Sequence, residues 1–204
     1  MKTGLKAGFT IVEVSVTAFL MVTLGFAILG LVELTTRSQI FAFRSYTSVD
    51  DGNFAVAQIA KELRSTRSGN NGAYALALGN DNEIIFYSDI DYDDQSEYVR
   101  YYLDGNTLYK STIEPIGFPA TYPQANAATR IITENVVNTG NPIFLYFNEN
   151  WPNDTTNNPL ITPADVADVR LVRISLTINP RPDVPRQNYT LDTFVHLRML
   201  KDNL

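Results

Sequence analysis

Lys6-Ala7-Gly8-Phe9-Thr10-Ile11-Val12-Glu13 runs without a break into an apolar segment, Val14 to Val32, that holds no charged residue. At about 1.5 Å rise per residue, Phe9 to Val32 makes a helix of about 36 Å, enough to cross a bilayer core of about 30 Å. Glu13 does not suit a plain anchor, because a charge at mid-bilayer costs at least about 2.5–3.5 kcal/mol. A carboxylate there calls for a partner, since two buried opposite charges offset each other's desolvation only in close geometry. Leu31-Val32-Glu33-Leu34-Thr35, which follows, contains no convincing small-x-small site, so a secretory signal peptide is disfavoured. The plain alternative is an uncleaved signal anchor in which Glu13 snorkels to the interface.

The octet resembles the cleavage and methylation signature of type IV prepilins and of type II secretion pseudopilins. In that family a short basic leader ends in glycine. Phenylalanine, a small hydroxyl residue, two aliphatic residues and a glutamate follow, heading a long apolar helix. Here these are Lys2 and Lys6, then Gly8, Phe9, Thr10, Ile11, Val12 and Glu13. The resemblance implies cleavage between Gly8 and Phe9 by a prepilin peptidase and N-methylation of Phe9. It also implies pairing of Glu13 with the Phe9 ammonium of a neighbouring subunit as a filament assembles. The implied fold class is α+β, a pilin fold whose long N-terminal helix has a membrane-embedded first half and packs on an antiparallel β-sheet head. Its divisions would be a leader at 1–8, a transmembrane and assembly helix at 9–32, a continuation packing on the head at 33–69, and a β-rich head at 70–204. Implied partners are other pilins or pseudopilins through the helix, the prepilin peptidase and an inner-membrane assembly platform.

Length and charge agree with one extracytoplasmic domain. About 170 residues remain beyond a membrane-length segment, enough for a single core. The formal charge is −6, and loss of Lys2 and Lys6 with the leader makes it −8. That acidic balance disfavours nucleic-acid binding except through a tip complex, because such binding needs a basic patch. Lys2 and Lys6 before the apolar run, against Glu33 and Arg37 after it, put the N-terminus in the cytoplasm and the head outside. The chain has no cysteine, so packing alone must hold the head.

After the apolar run, Ile40, Phe43 and Tyr46, then Phe54, Ala57, Ile59 and Leu63, continue a helical stripe, with Lys61, Glu62, Arg64 and Arg67 assigned to the surface. Asp50-Asp51-Gly52-Asn53 are poor helix formers where the helix either bends, breaks or runs through. Gly25 and Gly30 are the weak points of the apolar part, and Gly69-Asn70-Asn71-Gly72 is the stop. Strands are expected at Glu83–Ser88, Tyr98–Leu103 and Thr107–Ile113, the last two joined by the hairpin turn Asp104-Gly105-Asn106. Further strands are expected at Arg130–Val137, Ile143–Phe147, Val169–Ile178 and Tyr189–Leu200. Pro115–Pro123, Asn148–Ala164 and Pro180–Pro185 read as exposed loops. The Tyr-Tyr-Leu-Asp-Gly-Asn-Thr-Leu-Tyr hairpin, the acidic loop before it and the Phe194-Val195-His196-Leu197-Arg198 ending look like larger minor pilins of the PilW type and pseudopilin-J relatives.

The chemistry-bearing residues are few. Asp89, Asp91, Asp93, Asp94 and Glu97 echo the alternating oxygen ligands of an EF-hand calcium loop, although Asp94 stands at the turn-glycine position and Arg100 at that of the bidentate glutamate. The competing reading is a solvated acidic turn. No other cofactor is expected. His196, the single histidine, lies in an alternating strand pattern and offers no triad, Asp165 and Asp168 read as solvated, and no catalytic residue is assigned. Tyr98, Tyr101, Tyr102 and Tyr109 are expected in strand pairing. Two functions remain: a structural subunit that initiates or tips a type IV filament for pilus assembly, secretion or DNA uptake, and a membrane-anchored binding or adhesion domain using its loops, with Trp151 exposed in one of them.

Overall fold

The computed structural model describes residues 8–138, 140–180 and 188–197. Lys2, Lys6, the loop from Arg181 to Pro185, and Arg198 to Leu200 lie outside the described residues. The class is α+β: the described residues form one α-helix, α1 (Ile11–Arg64), a short 3-10 turn at Gln124–Asn126, and eight strands in two antiparallel sheets. The chain divides into two compact units, residues 1–44 and residues 45–204.

The first unit carries the apolar part of α1, which is long and apolar enough to cross a membrane, with mean hydropathy 2.2 over its best window. A helix suits that solvent because its backbone groups are satisfied internally. Its hydroxyls are satisfied as well: Ser15 Oγ donates to Ile11 O at 2.9 Å, Thr17 Oγ1 to Glu13 O at 2.9 Å and Thr23 Oγ1 to Leu20 O at 3.0 Å. Arg37 pairs with Glu33 one turn earlier, where the charge-free run has ended.

In the second unit α1 runs through Asp50-Asp51-Gly52-Asn53 without a break. Gly52 is required by close approach: a Cβ there would lie 2.1 Å from Ile178 Cδ1 and 2.9 Å from Leu191 Cδ1. Its buried face is Gly52, Ala55, Val56, Ile59, Ala60 and Leu63, a 3.6-residue period, while Phe54 and Ala57 of the expected stripe are exposed. Glu62, expected on the surface, is buried, and Arg67 is half-buried. The helix ends at Arg64, five residues before the expected limit. There the Glu62 carbonyl accepts from Ser65 N at 3.2 Å and from Ser88 Oγ at 3.1 Å in place of a further helical turn.

Strands β1 (Leu76–Gly79), β2 (Glu83–Ser88), β3 (Glu97–Asp104), β4 (Thr107–Ile113) and β5 (Ala128–Thr133) form a five-stranded meander in sequence order. The β3–β4 turn falls where Asp104-Gly105-Asn106 predicts it, with Asp104 paired to Thr107. Gly105 has φ +58°, a conformation glycine adopts freely. The expected strand Arg130–Val137 is divided between the sheets. Asn135 turns the chain at φ 60°, and Val136 then bridges Ile178. The second sheet is β6 (Phe144–Phe147), β7 (Leu171–Ile178) and β8 (Tyr189–His196), with β7 central. One buried cluster joins Ile59 and Leu63 of α1 to Phe86, Val99 and Tyr101 of the first sheet and Phe144, Ile174 and Val195 of the second.

Candidate functional site

At the start of α1, Thr10 and Glu13 form a reciprocal cap. Glu13 N donates to Thr10 Oγ1 at 3.3 Å, and Thr10 N donates to Glu13 Oε2 at 3.3 Å. This is the capping-box arrangement, in which a hydroxyl residue and a glutamate three positions on satisfy two helix-end donors. Phe9 and Glu13 are both exposed, Phe9 at 84%. Gly8 precedes them in an exposed stretch without regular structure.

The second cluster lies between β2 and β3. Asp89 follows the last residue of β2, and Glu97 opens β3 directly opposite Ser88. One carboxylate oxygen each from Asp89, Asp91, Asp93 and Glu97 falls within 4.8 Å of all the others. Asp94 is not part of that group; its N–H donates to Asp89 Oδ2 at 3.2 Å. The backbone wraps around the carboxylates: Tyr92 N donates to Asp89 Oδ1 at 2.7 Å and Gln95 N to Asp93 Oδ1 at 2.8 Å. Arg67 Nη2 stands 3.0 Å from Asp89 Oδ2, so one guanidinium faces the loop.

Glu97 differs from its neighbours. It is 0% exposed, and its Oε2 accepts from Ile90 N at 2.6 Å while its Oε1 has no hydrogen-bond partner. Burial pushes its carboxyl up to about 7, with Glu114 and Asp91 adding like charge against the opposing Ile90 N–H. Glu114, just past β4, is itself raised by burial and by Asp91 and Asp93.

A third polar group joins α1 to the first sheet. Lys110 Nζ lies 2.7 Å from Glu62 Oε1, Tyr101 Oη donates to Glu62 Oε2 at 2.8 Å, and Gln58 Nε2 donates to Glu62 Oε1 at 2.9 Å. Burial lowers the Lys110 ammonium despite the carboxylate beside it, and burial with Glu62 raises Tyr101 well above its usual range. Sequence reading missed this group because Glu62 and Lys110 each occupy an ordinary surface residue type.

The remaining expected residues are scattered. His196 is exposed on β8, an edge strand, paired with Leu171. Asp165 and Asp168 are exposed in a turn. Tyr102 stacks on its cross-strand partner Tyr109 at 5.4 Å, as strand pairing predicts. Trp151 is half-buried against Phe147 at 4.7 Å, so its expected exposure is corrected. The 148–164 loop is stapled from within by buried Asn158, whose Nδ2 donates to Asn148 Oδ1 at 2.9 Å. Phe118 instead stands fully exposed in the 115–123 loop.

A long helix with a membrane-length apolar part, leading into an antiparallel α+β unit, defines the architectural class. No protein-family model matches the chain, and no curated protein sequence matches it.

Proposed function

We propose that this chain is a structural subunit of a type IV filament system, a minor pilin or pseudopilin that initiates or tips the filament. The carrying observation is the run Gly8-Phe9-Thr10-Ile11-Val12-Glu13 at the head of a 54-residue helix whose apolar part is exposed among the described residues. Cleavage after Gly8 frees the Phe9 amine, and N-methylation leaves it cationic. The Glu13 carboxylate is the fifth residue of the resulting chain. In an apolar filament core an ammonium from one subunit and this carboxylate from the next offset each other's desolvation, which neither does alone. Exposed Val, Leu, Ile and Phe side chains then pack helix against helix, and the acidic unit stays outside. The layout of one long helix followed by antiparallel sheets supports a pilin fold, and the head lies outside an inner membrane that α1 spans once. The partners are other pilins or pseudopilins, the prepilin peptidase and the assembly platform.

Mass spectrometry of the chain from its native host tests this reading. A terminus at N-methylated Phe9 is expected, and an intact leader in cells that process other prepilins sinks it. Fully exposed Phe118 favours a second reading, in which the head also binds a surface through the 115–123 loop. Phe118→Ser would then abolish surface attachment while leaving filament incorporation unchanged.

A further inference from the structure

We propose that the cleft between α1, the β2–β3 loop and β5 binds a small organic carboxylate with an apolar body, and that Lys61 and Arg130 hold its charge. The inference does not depend on the filament reading.

The cleft has the size and the lining of a ligand site. Its volume is about 420 Å³, within the roughly 300–1,000 Å³ of small-molecule pockets. One wall is the outer face of α1, where Phe54, Ala57 and Lys61 follow at the three- and four-residue spacing that puts side chains on one helix face. Ile90 and Tyr92 of the β2–β3 loop form the second wall, and Arg130 of β5 lines the third side. Phe54 and Tyr92 are 65% and 74% exposed, so the cleft offers aromatic surface to an apolar body.

The charges select the ligand. Glu62 and Asp89 line the cleft too, but both are already partnered. Glu62 accepts from Lys110 Nζ and Tyr101 Oη, while Asp89 faces Arg67 and accepts from the N–H groups of Tyr92 and Asp94. Among the described residues, neither Lys61 nor Arg130 forms an ion pair. The Lys61 ammonium lies 5.8 Å from the centre of the Tyr92 ring. The charges left without a counter-ion are therefore positive.

Register explains why Arg130 is there. It is the cross-strand partner of Lys110, whose ammonium meets Glu62 of α1, so Arg130 stands on the helix side of the sheet. Burial lowers the Lys110 ammonium and Arg130 adds to that lowering, so an anion in the cleft relieves a repulsion between the two cations. A planar carboxylate matches the guanidinium fork. Exposed Asp91 and Asp93 flank Tyr92 and disfavour a ligand with several negative charges.

The test uses the full chain in detergent micelles, with hydrocinnamate and its uncharged amide titrated by calorimetry against micelles without protein. Expected are one hydrocinnamate bound per chain and binding of the amide about tenfold weaker, as loss of a charged hydrogen-bonding partner implies. Arg130→Gln should weaken hydrocinnamate binding by a similar factor, and Arg130→Lys by less, because lysine keeps the charge and loses the fork. Lys61→Gln should weaken it severalfold. These side chains are exposed, so the unfolding midpoints of the variants should match that of the parent chain. N-acetylphenylalanine separates two sources of the ligand: tighter binding than hydrocinnamate assigns a peptide C-terminus, and weaker binding a free acid. No heat above the micelle blank at millimolar hydrocinnamate, equal affinity for acid and amide, or unchanged affinity in Arg130→Gln would each overturn the assignment.

Discussion

The Glu13 carboxylate accepts the Thr10 N–H at 3.3 Å while the Thr10 hydroxyl accepts the Glu13 N–H at the same distance, so the residue proposed for assembly also caps its own helix. The two roles separate by substitution. Glutamine serves in a capping box but carries no charge. Glu13→Gln should therefore leave the helix start intact and still abolish filament incorporation. Thr10→Ala should loosen the start by about 1 kcal/mol, seen as roughly fivefold faster amide exchange at Ile11 to Val14. Normal incorporation of Glu13→Gln would assign the carboxylate to capping alone.

Lys110 and Glu62 form a buried pair, with Tyr101 as a second donor to the same carboxylate. Removing one partner leaves an uncompensated charge, so Lys110→Met should cost about 3–5 kcal/mol in denaturant unfolding. The double variant Glu62→Leu with Lys110→Met should cost less than Lys110→Met alone. Trp151, the single tryptophan, is a built-in fluorescence reporter of the head. Additive losses in the double variant would show that the pair does not act as a unit.

Gly52 lies where α1 passes Ile178 and Leu191. Alanine gains about 1 kcal/mol in helix propensity, and overpacking costs about 1–3 kcal/mol. Gly52→Ala should therefore lower stability by about 1 kcal/mol net, and Gly52→Val by more. A stabilised Gly52→Ala would mean that the two side chains move aside at no cost.

Tyr101 and Tyr146 are raised well above the usual 10 by burial, Tyr101 with help from Glu62 and Tyr146 with help from Asp81 and Glu83. The folded chain keeps these protons where the unfolded chain releases them. Stability from these groups is thus present below pH 10 and falls as pH rises past it. Lys110, lowered by burial, acts in the opposite sense just below its usual 10.5. Absorbance titration should show two tyrosines ionising only with unfolding, and one in Tyr101→Phe. Smooth ionisation of both in the folded chain would contradict the burial.

The sequence by itself determined the parts whose signals are local. A charge-free apolar run makes a membrane-length helix, alternating β-branched and aromatic residues make β2, β3 and β4, and Asp104-Gly105-Asn106 closes a hairpin because glycine tolerates its positive φ. Carboxylates crowded into nine residues announced a polar loop. Tertiary structure alone decided what depends on distant neighbours. Gly52 read only as a poor helix former and is a close contact with β7 and β8. Glu62 read as a surface charge and is buried because Lys110 and Tyr101 arrive from strands more than 35 residues away. Four-residue β1 is too short for its pattern to register, and it is a strand because β2 supplies its hydrogen bonds. Burial separates Glu97, which opens β3 opposite Ser88 of β2, from its exposed neighbours Asp91 and Asp93. Periodicity is written along the chain, whereas burial of a single charge is set by what folds over it.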